Sequence, residues 1–229
     1  MKFNTFIIAS FVAIATLFPA ASKAQYYEMV SGLRSALSPA LSGSGSYKGY
    51  VDAGYARTLG NYRGDFVGIS TTQGYQYNSW FFMGAGLGVD VLFAHKNEGW
   101  GNGAQTPPNA SLGESPISTA VMLPLFTDFR FSINTKENVK AASFYVDLKV
   151  GCSFLLSNKY IAIGDGYLTN QEYFFLQPSI GVRIPVNVNK PKQAFDIGID
   201  YKLLTSNYWY RYNNNITLQA LGAHLAFEW

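Results

Sequence analysis

The sequence predicts an all-β chain: a transmembrane, antiparallel, up-and-down β-barrel of about eight strands, preceded by a short amphipathic helix. Three observations carry that prediction. Apolar side chains recur at every second position in four of eight successive candidate segments, as they must when a strand divides two environments, while others fit the pattern less well. No apolar stretch beyond the N-terminus is long enough for a spanning helix, so membrane insertion would have to be by strands. Charged residues make up only 14% of the chain, against about 25% in ordinary globular proteins, while aromatics reach 16%.

The N-terminus reads as a cleaved secretory signal over residues 1–24. Met1 and Lys2 supply a short positive region, "FIIASFVAIATLF" (Phe6 to Phe18) an apolar core, and Ser22 and Ala24 the small residues before a cut after Ala24. That core, about 13 residues, falls short of the roughly 20 a membrane anchor needs. The only cysteine is Cys152, which leaves no residue in the signal to acylate and excludes a disulfide framework or a cysteine-rich metal site. Residues 25–45 follow a different period. Tyr26, Met29, Val30, Leu33 and Leu37 recur at helical spacing, Pro39 stops the pattern, and "SGSGS" reads as a tether to a barrel over 46–229.

The expected strands are 46–58, 62–75, 79–94, 117–132, 142–156, 173–186, 194–205 and 216–229. In "FFMGAGLGVDVLF", Phe81, Met83, Ala85, Leu87, Val89, Val91 and Phe93 share one parity, and Gly84, Gly86, Gly88 and Asp90 the other. "FYVDLKVGCSF", "AFDIGIDYKLL" and "LGAHLAFEW" repeat the split. In a soluble sandwich the polar face would carry long Lys and Glu freely; here it is rich in Gly, Ser and Asp, which suits a narrow lumen. For 62–75 the parity favours Val67, Ile69 and Thr71 outward over Phe66 and Gly68. Pro178 sits at a lipid-facing position within a strand and predicts a bulge or local break. The connections after the third, fifth and seventh segments are long and those after the second, fourth and sixth shorter, the asymmetry of an outer-membrane barrel. Aromatic residues collect near the two ends, with Phe93, Phe154, Tyr173 and Tyr201 expected in the girdle on the long-loop side.

With "GYQYNSWFFMGAGLGVD" and "LPLFTDFRF" in view, the chain resembles the small outer-membrane β-barrel proteins of Gram-negative bacteria, of the OmpA/OmpX-like type, and the outer-membrane β-barrel domain proteins of Bacteroides relatives. The resemblance spans roughly Ser46 to Trp229. It implies a location in the bacterial outer membrane, contact with its lipid, and a closing strand read by the barrel-assembly machinery. By resemblance, Leu221, Ala223, Leu225, Phe227 and Trp229 form that assembly signal.

The same parities turn Asp52, Asp90, Asp128, Arg130, Asp147, Lys149, Arg183, Asp196, Asp200, Lys202, His224 and Glu228 into the lumen, with Lys48 beside them. An eight-stranded barrel is just wide enough to be filled by side chains, so these charges are expected to pair as a plug rather than line a pore. Trp100, Tyr208, Trp209 and Tyr210, on long Gly- and Asn-rich loops, are candidate contacts for an extracellular ligand. Only two histidines are present, His95 and His224, and neither lies in a G-x-S-x-G or comparable nucleophile motif. No zinc spacing, phosphate loop or dinucleotide fingerprint occurs, so no cofactor, metal or catalytic residue is assigned. The 17 Lys and Arg are dispersed, which argues against nucleic acid. The sequence therefore reads as a monomeric, non-enzymatic outer-membrane barrel with a structural or surface-interaction role. The alternatives are a lipid-modifying barrel enzyme, with His95 at the right depth, and a narrow channel for a small solute.

Overall fold

The computed structural model describes residues 46–77, 80–95, 117–133, 142–157, 160–164, 166–168, 172–187, 190–207 and 215–229. Its strands are β1 (Ser46–Leu59), β2 (Gly64–Gln76), β3 (Phe81–Ala94), β4 (Thr119–Ile133), β5 (Ser143–Leu156), β6 (Ile161–Ile163), β7 (Gly166–Leu168), β8 (Glu172–Asn187), β9 (Lys190–Asn207) and β10 (Asn215–Glu228). Eight of them close a barrel in the order β1-β10-β9-β8-β5-β4-β3-β2, while β6 and β7 form a separate hairpin. Each barrel strand follows its spatial neighbour in sequence, so the topology is up-and-down. β1 closes against β10 from Tyr50↔Glu228 to Leu59↔Gln219, and Gly49 and Trp229 exchange backbone hydrogen bonds of 3.1 Å just beyond. Closure leaves no exposed sheet edge, the condition for a sheet to sit in lipid.

Both ends of the barrel chain and the connections after β2, β4 and β8 share one rim, here the terminus rim. The connections after β1, β3, β5 and β9 share the other, the loop rim. The shortest loop-rim connection turns at Gly60, whose φ of +79° is a conformation only glycine adopts without strain.

The outer wall is apolar around the barrel: Val51, Val67, Ile69, Leu87, Leu125, Val146, Ile180, Ile197, Ile199, Leu221 and Leu225 are all exposed. Phe66 is buried, so β2 presents Val67 and Ile69 outward. Ile199 lies at mid-strand on this wall and is 58% exposed. If the wall meets lipid, Ile199→Lys should lower stability by about 2–4 kcal/mol in a bilayer; on a water-facing surface the change would stay within about 0.5 kcal/mol. Denaturant unfolding of both variants in lipid vesicles reads the difference.

At Pro178 the expected interruption takes the form of a local break rather than a bulge. Pro178 pairs with Leu148 of β5, while the ladder to β9 skips Gln177 and Pro178 and resumes in the same register at Ser179↔Asp200. The ring removes one donor, and the strand tolerates the gap because its other edge stays paired. Pro124 leaves a similar gap between β3 and β4. The register shift falls instead between Pro185 and Asn187, where β8 turns into β9. Other expectations are corrected by the fold. Tyr173 does not join an outer girdle: it is 1% exposed and points into the barrel. The stretch 157–171, expected as a plain long loop, contains the β6–β7 hairpin, whose Ile161, Ala162, Ile163 and Leu168 are fully buried. The signal and helix expected over 1–24 and 25–45 lie outside the described residues.

Candidate functional site

The lumen is divided into two tiers. Toward the terminus rim it is ionic. Arg183 holds Glu228 in a fork, Nε to Oε2 at 2.9 Å and Nη2 to Oε1 at 2.8 Å, and Lys48 Nζ reaches the same carboxylate at 2.7 Å. Arg130, one layer deeper, bonds Asp196 through Nη1 and approaches Asp147 Oδ2 at 3.6 Å through Nη2. Its guanidinium carbon stands 4.0 Å from the centroid of the Tyr50 ring and 4.6 Å from that of Tyr145, which places the cation against two aromatic faces.

At mid-height the pairs span the barrel. Lys149 of β5 reaches Asp52 of β1 at 3.3 Å, and Lys202 of β9 reaches Asp90 of β3 at 2.6 Å. In a ring of eight strands β5 lies opposite β1, and β9 opposite β3. These side chains therefore meet across the full diameter of the barrel. His224 lies beside them, with Nδ1 3.1 Å from Asp200 Oδ1 and Nε2 2.8 Å from Tyr145 Oη. Gly198 makes room for this pair, since a Cβ there would lie 2.6 Å from His224 Cε1 and 2.7 Å from Tyr145 Oη. A cavity of about 40 Å³ remains beside Asp52, Ser70, Asp90, Lys149 and His224. That is room for about three waters and no organic ligand.

All twelve candidate lumen residues are thus buried, and eleven of them meet an ion-pair partner. Asp128 is the exception. It faces Lys149 across the β4–β5 ladder, but that lysine is drawn to Asp52, and neither Asp128 oxygen accepts a hydrogen bond from a described donor.

Toward the loop rim the lumen is apolar, a feature the sequence reading missed. Phe66, Leu92, Met122, Phe126, Leu155, Tyr173, Phe175, Leu204, Ile216 and Leu218 point inward and pack into one buried cluster with Ile161, Ile163 and Leu168 of the hairpin. The hairpin is tied down by Gly164 N–H donating to His95 O at 2.8 Å and by a parallel bridge between Ile117 and Ile161. The hydrophobic seal and the ionic tier meet where Lys202 lies 5.0 Å over the Phe66 ring.

Outside, Leu221, Ala223, Leu225, Phe227 and Trp229 all face away from the lumen, and the Phe227 and Trp229 rings stack at 6.3 Å. Trp100, Tyr208, Trp209 and Tyr210 lie outside the described residues. One polar cluster interrupts the outer wall near the loop rim. His95 Nε2 lies 2.7 Å from Asp65 Oδ2, and Tyr55 donates its hydroxyl to Asp65 Oδ1 at 2.7 Å. Among the described residues the side-chain partner of His95 is Asp65, and no hydroxyl or thiol nucleophile bonds to it. Nor does any group of three or more His, Cys, Asp or Glu suited to a metal occur among them.

A closed eight-stranded antiparallel barrel with an oily wall and a filled interior is the fold of the small outer-membrane barrels. The chain is similar to Neisserial surface protein A, at a TM-score of 0.50 and 12% identity over 80% of this chain and 97% of that one. It is similar also to the outer membrane enzyme PagL, at a TM-score of 0.52 and 11% identity over 77% of this chain and 97% of that one. No protein-family model matches the sequence, and neither does any curated protein sequence.

Proposed function

We propose that the chain is an integral outer-membrane β-barrel with a structural or surface-interaction role and a lumen closed to solutes. The observation that carries this reading is the double closure: ion pairs that span the barrel at mid-height, and an apolar seal above them completed by the β6–β7 hairpin. Resemblance to the barrel-domain proteins of Bacteroides relatives, carried by residues 74–90 and 123–131, fits the same role. With the loop rim outward, the seal faces the medium and the ionic tier faces the periplasm.

The channel alternative is weighed by flux. Liposomes holding the purified barrel should release a small solute such as glucose no faster than empty vesicles. Release above that background would sink the closed-lumen reading. The enzyme alternative rests on the His95–Asp65 pair alone. It predicts that His95→Ala changes the envelope lipid profile, and an unchanged profile speaks for the structural role.

A further inference from the structure

The charges of the barrel are distributed unevenly. Seven Lys and Arg have described side chains: Lys48, Arg130, Lys149, Arg183 and Lys202 are committed to the lumen, and Arg57 and Arg63 are exposed. Both exposed arginines lie at the same rim, on either side of the β1–β2 turn. His95 stands beside them: its N–H donates to Arg63 O at 2.8 Å, and its ring projects onto the outer wall with 54% of the side chain exposed. Asp65 sits among the three. It fixes the imidazole through Nε2 and is held in turn by Tyr55, and Arg57 is near enough to act on it electrostatically. Neither arginine forms an ion pair with a carboxylate among the described residues.

An arginine on the apolar wall of a barrel is tolerated only near the interface. Two of them form a set of donors looking outward at head-group depth, and the imidazole beside them, whose Nε2–H is given to Asp65, adds a donor at Nδ1 when the ring carries both protons. Guanidinium groups match phosphate oxygens with paired N–H donors. We infer that Arg57, Arg63 and His95 form a docking site for the phosphate of an amphiphile in the outer leaflet, with Asp65 and Tyr55 orienting the imidazole. Acyl chains of such a lipid would lie along Leu59, Val67 and Phe93, which are exposed on the same wall. The lone carboxylate in the cluster works against an anion, so Asp65 acts as a positioning residue that also limits affinity.

The inference rests on the loop rim facing the outer leaflet. Its test uses the full barrel in detergent and native mass spectrometry with lipid A, which carries phosphates on a sugar head group, and with its dephosphorylated form. Wild type should retain lipid A, and Arg57→Gln/Arg63→Gln should retain about tenfold less. Asp65→Asn should retain more, a change of opposite sign that a merely structural cluster would not give. The dephosphorylated lipid should bind wild type and the double variant alike. Equal retention of lipid A by both would overturn the site, as would competition by millimolar inorganic phosphate down to the level of the double variant, which would assign the cluster to free phosphate. Each variant is checked for heat-modifiable migration on SDS gels. Failure of the wild-type barrel itself to insert into lipid would count against the membrane reading and is seen separately from loss of lipid A.

Discussion

Replacing Arg130 with methionine is expected to lower the stability of the barrel by about 3–5 kcal/mol, the usual consequence of removing one partner from a buried ion pair. Methionine fills much of the same volume, so the loss would be electrostatic. Arg130 is the cation that answers both Asp147 and Asp196, and it is sandwiched by Tyr50 and Tyr145. Without it Asp147 loses its ion-pair partner and keeps the Ser179 hydroxyl at 3.5 Å, and Asp196 faces Arg183, whose fork is already given to Glu228. Asp128→Asn is the contrasting case. The described lumen holds five cations (Lys48, Arg130, Lys149, Arg183, Lys202) against seven carboxylates (Asp52, Asp90, Asp128, Asp147, Asp196, Asp200, Glu228), with His224 beside them. Asp128 is the one carboxylate of the seven with no ion-pair partner among the described residues, so its removal should be neutral or stabilising. Urea midpoints in detergent micelles, followed by tryptophan fluorescence, give both values. A loss at Asp128→Asn as large as at Arg130→Met would mean that Asp128 belongs to the paired network.

The contrast explains what was legible in the sequence. Barrel strands announce themselves where the two faces differ in polarity, and β3, β5, β9 and β10 keep that difference from the terminus rim to about mid-height. There Asp90, Asp147, Lys149, Asp200 and His224 fall on one parity, and their inward direction follows from alternation alone. Toward the loop rim the difference vanishes. Leu92 between Val91 and Phe93, Met122 between Val121 and Leu123, and Phe175 between Phe174 and Leu176 are apolar neighbours of apolar residues. Period-two reading then reports only a hydrophobic run and cannot say that both faces are oily because both are buried, one in lipid and one in a core. The hairpin escaped for a different reason: strands of three residues carry no periodicity. Pairings such as Lys202 with Asp90, 112 residues apart, depend on which strands oppose each other in the closed ring, which no local pattern encodes.

The hairpin offers the second large effect. Gly164→Ala should detach it from the mouth of the barrel. Gly164 has φ +55°, and a Cβ there would lie 1.9 Å from the backbone oxygen of Asn61. The strained backbone costs about 1 kcal/mol. The contact adds more, because a peptide oxygen in the β1–β2 turn cannot swing aside as a long side chain would. Relief requires lifting the segment that places Ile161 and Ile163 in the apolar tier. Hydrogen exchange at 160–168 should then rise toward that of an open loop, and water should reach Phe66 and Leu92. Ile163→Asp tests the seal from within: an unpaired carboxylate among Phe66, Leu92 and Leu168 costs about 4 kcal/mol or more unless the hairpin leaves. Detachment alone should not produce a pore, because the ion pairs that span the lumen lie deeper. Single-channel recordings of Gly164→Ala should therefore stay silent, and conductance should appear only when the seal is lost together with Lys149 or Lys202. Conductance in Gly164→Ala alone would show that the hairpin, rather than the ionic tier, is what closes the barrel. His95 separates this closure from events on the outer wall. Its carbonyl holds the hairpin while its ring faces outward, so His95→Gln should leave the exchange at 160–168 unchanged whatever it does to lipid.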